Sequence, residues 1–189
     1  MKVCIVGAGA IGGFIATRLA LAGQAQVSAL ARGETLAALR TQGWRLRMNG
    51  ELLNAPATAS DDAAALGAQD LVVIALKGQS LPALAPKLAP LLGPNTIVLP
   101  AMNGVPWWFL REGAPLESVD PGGVVGTALP AAQVLGCVVH ASTSTSEPGL
   151  VEHRMGQGLI VGEPAGGSSE RVQRVVALLA QAGFEATAS

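Results

Sequence analysis

Residues 2–12 read KVCIVGAGAIG, an apolar run that leads into three closely spaced glycines. Lys2–Val6 is a short apolar run that contains β-branched residues, which predicts a strand. Ala10–Ala22 carries apolar residues at helical spacing and stops at Gly23, which predicts a helix. The loop between them matches the pattern G-x-G-x-x-G, and a loop in this strand-to-helix context is typical of proteins that bind the pyrophosphate of a dinucleotide.

Each glycine of the loop has a separate part in such a site. Gly7 permits a tight turn, Gly9 lets the backbone approach the pyrophosphate, and Gly12 lets the helix pack closely on the strand. The first helical turn also offers unpaired N–H groups and about half a positive charge to an anion. The residues predicted to bind the cofactor here are Gly7, Ala8, Gly9, Ala10, Ile11 and Gly12.

The identity of the dinucleotide depends on the residue that follows the second strand, Gln26–Leu30. Arg32 stands there, 20 positions after Gly12. An acidic residue would bind the ribose hydroxyls of NAD, whereas a guanidinium suits the 2′-phosphate of NADP. We therefore predict NADP, and we interpret Glu34 as an acid in the first turn of the helix Gly33–Gln42.

Two further polar residues follow predicted strands, and ligands of open α/β sheets bind at such strand ends. Lys77 follows Asp70–Leu76 and would place positive charge near the ribose or a substrate carboxylate. Asn103 follows Thr96–Leu99, and its amide can donate and accept, as a residue that orients nicotinamide or substrate should. An exposed loop lysine and an Asn-Gly turn remain open as alternatives.

The alternation of strands and helices predicts an α/β fold with a Rossmann-like, doubly wound, mostly parallel sheet. We expect residues 1–189 to form one dinucleotide-binding domain. Asn49-Gly50 predicts a hairpin after the second helix. Further predicted elements are a helix over Val105–Leu110, strands over Val124–Leu129, Val134–Ser142 and Leu159–Val161, and a helix over Ser168–Ala182. The later, strand-rich section indicates an antiparallel edge.

The composition argues against two classes of partner. The net charge is −1, so no basic surface for nucleic acid is expected. No run of 18 or more apolar residues escapes interruption, so we predict no membrane span, and a short apolar start without a signal segment predicts a cytoplasmic protein. Charged residues make up only 13%, against about 25% in typical domains, which indicates a surface covered by another domain or subunit.

The cysteines and histidines give no sign of a metal or acid–base site. Cys4 and Cys137 lie in apolar runs and are predicted to be reduced, buried thiols. No carboxylate stands at a spacing that would orient His140 or His153, so both are interpreted as core or edge residues.

Several motifs together resemble the 2-dehydropantoate 2-reductase (ketopantoate reductase) family over nearly the whole chain. They are the glycine loop, LARG at 30–33, ALKGQ at 75–79, MNG at 102–104, VHA at 139–141 and EPGLV at 147–151. The resemblance implies NADPH-dependent reduction of a 2-oxo acid, ketopantoate to pantoate, on the route to pantothenate. It implies that Arg32 meets the 2′-phosphate, that Lys77 and Asn103 line the cofactor–substrate cleft, and that Asn103 contacts substrate. A backbone contact around Ala141–Ser142 is also implied.

The chain departs from the family at its C-terminal side. Family members carry a second, helical domain that holds the lysine which protonates the carbonyl oxygen. The lysines here are Lys2, Lys77 and Lys87, and none lies beyond residue 87. We therefore expect the helical domain and the catalytic lysine to be absent, this part to be inactive alone, and an apolar face to be covered by that domain or by a second copy.

Two alternatives stay open. The same loop and Arg32 would serve a free-standing NADP-binding regulatory module without catalysis. They would also serve a related NADP-dependent reductase of another 2-oxo or 3-hydroxy acid, because substrate identity resides mainly in the second domain.

Overall fold

The computed structural model describes residues 1–110 and 115–189, and its strands and helices up to Gln42 follow the predicted order. The strands are β1 (Lys2–Val6), β2 (Gln26–Leu30), β3 (Trp44–Met48), β4 (Glu51–Ala55), β5 (Thr58–Ser60), β6 (Gln69–Ile74), β7 (Leu92–Pro100), β8 (Gly136–Glu147), β9 (Leu150–Gly162) and β10 (Glu185–Ala188). The helices are α1 (Ala10–Ala22), α2 (Gly33–Gln42), α3 (Ala63–Leu66), α4 (Leu81–Leu84), α5 (Val124–Ala128) and α6 (Glu170–Gln181). Short 3₁₀ segments cover Gly78–Ser80, Ala85–Leu91, Pro121–Gly123 and Ala131–Gln133.

The first sheet has the order β5-β2-β1-β6-β7, and every neighbouring pair in it is parallel. β1 is the central strand, with Val6 opposite Leu30 on one side and Ile74 on the other. The direction of strand order reverses between β1 and β6, and ligands of doubly wound sheets bind at such a switch point. The predicted α/β fold with a parallel sheet is confirmed.

The late strands build a second sheet, which meets the edge of the first at two isolated parallel bridges, Val98–Val134 and Ala101–Cys137. β9 pairs antiparallel with β8 along one side, and parallel with β3 and β10 along the other. The antiparallel edge predicted from the sequence is therefore wrong in its placement. The hairpin β3–β4, which follows α2, supplies an edge for β9, so the late strands join a sheet begun much earlier in the chain.

Helix α1 lies between the two sheets, which explains why most of its residues are apolar and buried. A Cβ on Gly12 would collide with the carbonyl oxygen of Gly7 in the first sheet's loop. A Cβ on Gly13 would lie 2.6 Å from Val151 Cγ2 in the second sheet. Two adjacent glycines thus let α1 fit against both layers, and the position of its first turn is fixed from two sides.

The segment Val124–Leu129, predicted as a strand, contains α5 instead. Its β-branched valines favour a strand, but the buried carboxylate of Asp120 accepts hydrogen bonds from the amides of Val125 (2.7 Å) and Gly126 (2.9 Å). These bonds satisfy two N–H groups of a first helical turn. A contact to a residue outside the predicted segment therefore overrides the local preference.

The helix predicted over Val105–Leu110 is also wrong. The chain there makes only a turn, in which Phe109 N donates to Pro106 O at 3.1 Å. Trp107 is buried, and its indole N–H donates to Leu129 O, just after α5, at 3.3 Å. The packing of this side chain therefore fixes the position of Val105–Leu110.

Other local predictions are confirmed. Asn49 and Gly50 both have positive φ, 53° and 82°, as a type I′ hairpin requires. The amphipathic helix predicted over Ser168–Ala182 is α6, with its valine and leucine stripe buried. No helix in the described part of the chain is long and apolar enough to span a bilayer.

Candidate functional site

A groove crosses the carboxyl ends of the first sheet at the β1–β6 switch point. It consists of two adjoining cavities of about 620 Å³ and about 980 Å³. Both cavities are lined by the glycine loop, so they meet at Gly7 and Gly9. The smaller cavity extends towards β2 and β5, and the larger one towards β6 and β7.

The glycine loop has the geometry that a phosphate-binding loop needs. Gly7 has φ 92°, and a Cβ there would lie 2.5 Å from Leu76 Cδ2 and 2.8 Å from Ala75 O. The position of a Cβ on Gly9, in contrast, has no atom within 4 Å and opens into the groove. Gly9 is also the N-cap of α1 and brings no capping side chain, so first-turn amides of α1 are left for a ligand. The residues present therefore fit a pyrophosphate.

Arg32 lies where the sequence places it, in the wall of the smaller cavity. It is the N-cap residue of α2 and is exposed. Its guanidinium makes no hydrogen bond or ion pair with any residue of the described ranges, so it is free for an anion. Glu34 lies in the first turn of α2, as interpreted from the sequence.

Lys77 lines the larger cavity at the end of β6. It precedes the 3₁₀ segment Gly78–Ser80, is exposed, and has no ion-pair partner in the part of the chain that the structure describes. Of the other lysines, Lys87 lines the smaller cavity, and Lys2 lies at the start of β1, the opposite end of the sheet. Lys77 is thus the lysine that this chain presents to the larger cavity.

Asn103 also lines the larger cavity, but most of its amide is already engaged. Its Nδ2 donates to Val139 O at 2.9 Å, and its Oδ1 accepts from Val139 N at 2.9 Å. The side chain thereby joins the segment after β7 to β8. One N–H and one lone pair remain for a ligand. No local pattern could show this contact, since the partner lies 36 residues along the chain.

The two residues Ala141–Ser142 lie just beyond this junction, where the pairing of β8 with β9 is irregular between His140 and Ser142. Neither residue lines the two cavities of the groove. A backbone contact from this segment to a ligand stays a prediction.

Neither the cysteines nor the histidines line the two cavities of the groove. Cys4 and Cys137 are free and buried, as predicted, and burial raises the pKa of their thiols to about 11 and about 12. His153 stacks on Phe14 with ring centroids 5.0 Å apart, and its Nε2 lies 2.7 Å from Gly156 O. Both contacts of His153 are made within the fold and involve no residue of the groove.

Part of the smaller cavity's wall was not predicted from the sequence. Asp61, Ser80 and Lys87 line it together with Arg32. Asp61 follows β5, a strand of three residues that was not predicted from the sequence. The rule that ligands bind at strand ends would have drawn attention to Asp61 if β5 had been recognised.

Three comparisons with known proteins agree with one another. The sequence profile described as "Ketopantoate reductase PanE/ApbA" matches residues 3–166. A 2-dehydropantoate 2-reductase of Mesorhizobium japonicum is 43% identical over an alignment 192 positions long, which covers 98% of this chain and 59% of that protein. The chain therefore spans well under two thirds of the length of this curated relative.

Solved structures show the same relationship. A crystal structure from Ralstonia solanacearum MolK2, assigned to the ketopantoate reductases, superposes with a TM-score of 0.96 at 49% identity and covers 99% of this chain and 60% of that one. A PanE/ApbA family ketopantoate reductase from Ralstonia eutropha JMP134 gives a TM-score of 0.80 at 27% identity, covering 100% of this chain and 56% of that one.

Proposed function

The chain belongs to the ketopantoate reductase PanE/ApbA family, and from this premise we propose that residues 1–189 form the NADPH-binding part of an oxidoreductase. Its reaction is the reduction of a 2-oxo acid, with 2-dehydropantoate as the substrate and pantoate as the product. The substrate assignment rests on the name of the relative that is 43% identical. The cofactor assignment rests on the groove itself.

The observation that carries the proposal is the open face of Gly9. It lies in front of the first turn of α1, in a groove that leads to Arg32 on one side and to Lys77 on the other. A dinucleotide has a doubly charged centre and two nucleoside arms, so it matches a groove with an anion site in the middle. The chain leaves open space where that centre would lie.

The free guanidinium of Arg32 indicates how the cofactor is oriented in the groove. It lines the smaller cavity and suits a 2′-phosphate, so we assign the adenosine arm to this side. The nicotinamide arm then belongs to the larger cavity, with Lys77 and Asn103. When bound, the nicotinamide supplies the hydride, and the protein has to orient it and exclude competing reactions.

The larger cavity supplies groups that suit an acidic substrate. The ammonium of Lys77 attracts the carboxylate of a 2-oxo acid. The remaining N–H of Asn103 can donate to the substrate or to the carboxamide of the nicotinamide. Both residues thereby bind and orient, as Arg32 does at the other end.

Completion of the reduction also needs a proton for the oxygen of the former carbonyl group, delivered where negative charge develops. Lys87 lies in the other cavity and Lys2 at the far end of the sheet, so neither can supply it. Lys77 lies in the larger cavity, but we assign it to substrate attraction. We assign the proton donor to a group outside residues 1–189, and we expect NADPH consumption with 2-dehydropantoate to be very slow for this chain alone.

A titration of NADPH and NADH, followed by nucleotide fluorescence, tests the cofactor assignment. We expect NADPH to bind more tightly than NADH, and Arg32→Ala to weaken NADPH binding by about 1.5–3 kcal/mol with little effect on NADH, because only NADPH carries the phosphate. Arg174→Ala is the control, since Arg174 is exposed on α6 and remote from the groove. Equal affinity of the unaltered chain for both nucleotides would refute the NADP assignment.

A further inference from the structure

Asp61, in the wall of the smaller cavity, has no part in the function proposed so far. We propose that its carboxylate accepts a hydrogen bond from the exocyclic amine of the cofactor's adenine. The smaller cavity would then select adenine over a base with a carbonyl group at that position. This inference rests on the proposed function, because it assumes that the adenosine arm occupies this cavity.

The sheet places Asp61 beside Arg32, the residue proposed to bind the 2′-phosphate. β2 and β5 are parallel neighbours, with Leu30 opposite Ser60, and Ala31 N donates to Ser60 O at 3.0 Å. Adjacent strands lie about 4.8 Å apart. Arg32 and Asp61 therefore leave the sheet side by side at the same edge, and both line the smaller cavity.

The carboxylate of Asp61 is available for a ligand. It is exposed and makes no hydrogen bond or ion pair with any residue in 1–110 or 115–189. Its neighbour Asp62 differs, because Asp62 Oδ1 accepts from Ala64 N at 2.9 Å and so caps α3. Asp61 does not pair even with Arg32, which follows the neighbouring strand β2, since no ion pair joins them within 4.0 Å. Two opposite charges thus face one cavity without neutralising each other.

The chemistry of the ligand decides what Asp61 can meet. A carboxylate accepts hydrogen bonds and cannot donate them when ionised. It repels the 2′-phosphate, which therefore lies on the side of Arg32. The base offers its N–H donors at the exocyclic amine. Ala83, Leu84 and Pro90 complete the wall with apolar surface, which suits the flat faces of a purine.

A comparison of two nucleotides isolates this contact. The probes are NADPH and reduced nicotinamide hypoxanthine dinucleotide phosphate, which differ in that a carbonyl replaces the exocyclic amine and N1 carries a hydrogen. We expect the unaltered chain to bind NADPH at least about tenfold more tightly, because the analogue loses a charge-assisted hydrogen bond and sets two acceptors against each other. In Asp61→Asn the preference should vanish or reverse, because an amide N–H can donate to the carbonyl.

The matched control is Glu34→Gln. Glu34 is an exposed acid near the same edge, in the first turn of α2, and does not line the smaller cavity. This variant removes one negative charge and should keep the tenfold preference for adenine. Thermal unfolding of both variants checks the fold, and no change is expected because neither carboxylate has a partner among the described residues.

Each outcome decides the question. Equal binding of the two nucleotides to the unaltered chain would overturn the role of Asp61 while leaving NADPH binding intact. An equal gain for both nucleotides in Asp61→Asn would show that Asp61 acts only by repulsion, and would also overturn it. If the chain binds neither nucleotide, the proposed function fails and the inference fails with it.

Discussion

Two glycines of the loop have different tasks: Gly12 is needed for packing, and Gly9 leaves space for a ligand. Gly12 has no space for a Cβ, because the Gly7 carbonyl oxygen, Ile5 and Ala75 surround that position. A Cβ added to Gly9, in contrast, would have no atom within 4 Å other than those of the adjacent residues. The same substitution at these two positions therefore separates folding from binding.

Gly9→Ala should fold and fail to bind nucleotide tightly. Its backbone has φ −83°, which alanine adopts without strain, so the loss of stability should stay within about 1 kcal/mol, the scale of a helix-cap change. Its methyl group would occupy the space proposed for the pyrophosphate, so NADPH binding should weaken at least about tenfold.

Gly12→Ala is the counterpart, and should cost roughly 1–3 kcal/mol or more in unfolding free energy because the methyl group meets backbone. Urea unfolding and NADPH titration of the two variants measure both effects. Full NADPH affinity in Gly9→Ala would contradict the placement of the pyrophosphate.

Asn103 shows that a site residue can have two tasks. Its amide holds Val139 of β8 through two hydrogen bonds of 2.9 Å and still presents one N–H to the larger cavity. A substitution at this position would therefore disturb the junction of β7 and β8 together with any ligand contact. For that reason Asn103 is a poor probe of binding alone, and Arg32 and Gly9 are better ones.

At the scale of elements, an ion pair joins the end of β9 to the start of α6. Glu163 accepts from Arg171 Nε at 2.7 Å and from Ser169 Oγ at 2.6 Å, and a second oxygen pairs with Arg171 Nη2. Arg171 also donates to the carbonyl oxygens of Ala132 and Val134. Chiefly because Arg171 donates to it, the pKa of Glu163 lies below its usual value of 4.5.

Glu163→Gln should lower the unfolding free energy at pH 7 by about 1–3 kcal/mol, since charge-assisted hydrogen bonds are lost at a partly buried site. A lowered folded-state pKa means that this contribution is present above about pH 4.5, the value of the unfolded chain, and is lost as the pH falls through the folded-state pKa.

Chemical unfolding at pH 7 and at pH 3 measures the effect, and the gap between the variant and the unaltered chain should narrow in acid. Glu170→Gln, on the same helical turn but exposed and without a described partner, should change stability little at either pH. A gap of the same size at both pH values would contradict the role of the ion pair.

At the scale of the whole molecule, α1 couples the two sheets. Arg18 extends this coupling, because its guanidinium donates to Ala182 O at 3.0 Å and to Gln157 Oε1 at 2.9 Å and lies over the ring of Phe184. The helix that begins at the phosphate-binding loop is thereby tied to α6 and β9. We expect the two sheets to unfold together.

The buried thiols test this expectation, because Cys4 lies in the first sheet and Cys137 in the second. Burial raises their pKa values to about 11 and about 12, so neither should react with a thiol reagent at pH 8 in the native state. Both should react at one rate, set by global opening, as urea is added. Mass spectrometry of the labelled chain distinguishes the two, and labelling of Cys137 alone would show that the second sheet opens by itself.

Features that depend on local geometry could be predicted from the residues alone. The bounds of β1 and α1, and the position of Arg32 after β2, all follow from residue spacing and from the conformational freedom of glycine. The type I′ hairpin at Asn49-Gly50 and the stop of α1 at Gly23 follow for the same reason, because each depends on residues adjacent in the chain. The family resemblance was available from such motifs as well.

Features that depend on distant partners became visible only in the folded protein. The carboxylate of Asp120 stabilises the first turn of a helix at valines 124–125. Val139 binds the amide of Asn103, and β9 pairs with the hairpin that follows α2. The place of Asp61 in the groove also needed the structure, because β5 is too short to be recognised without its partner β2. Hydrogen bonds and packing between segments far apart in sequence settle these features, and no local pattern encodes which segment the partner will be.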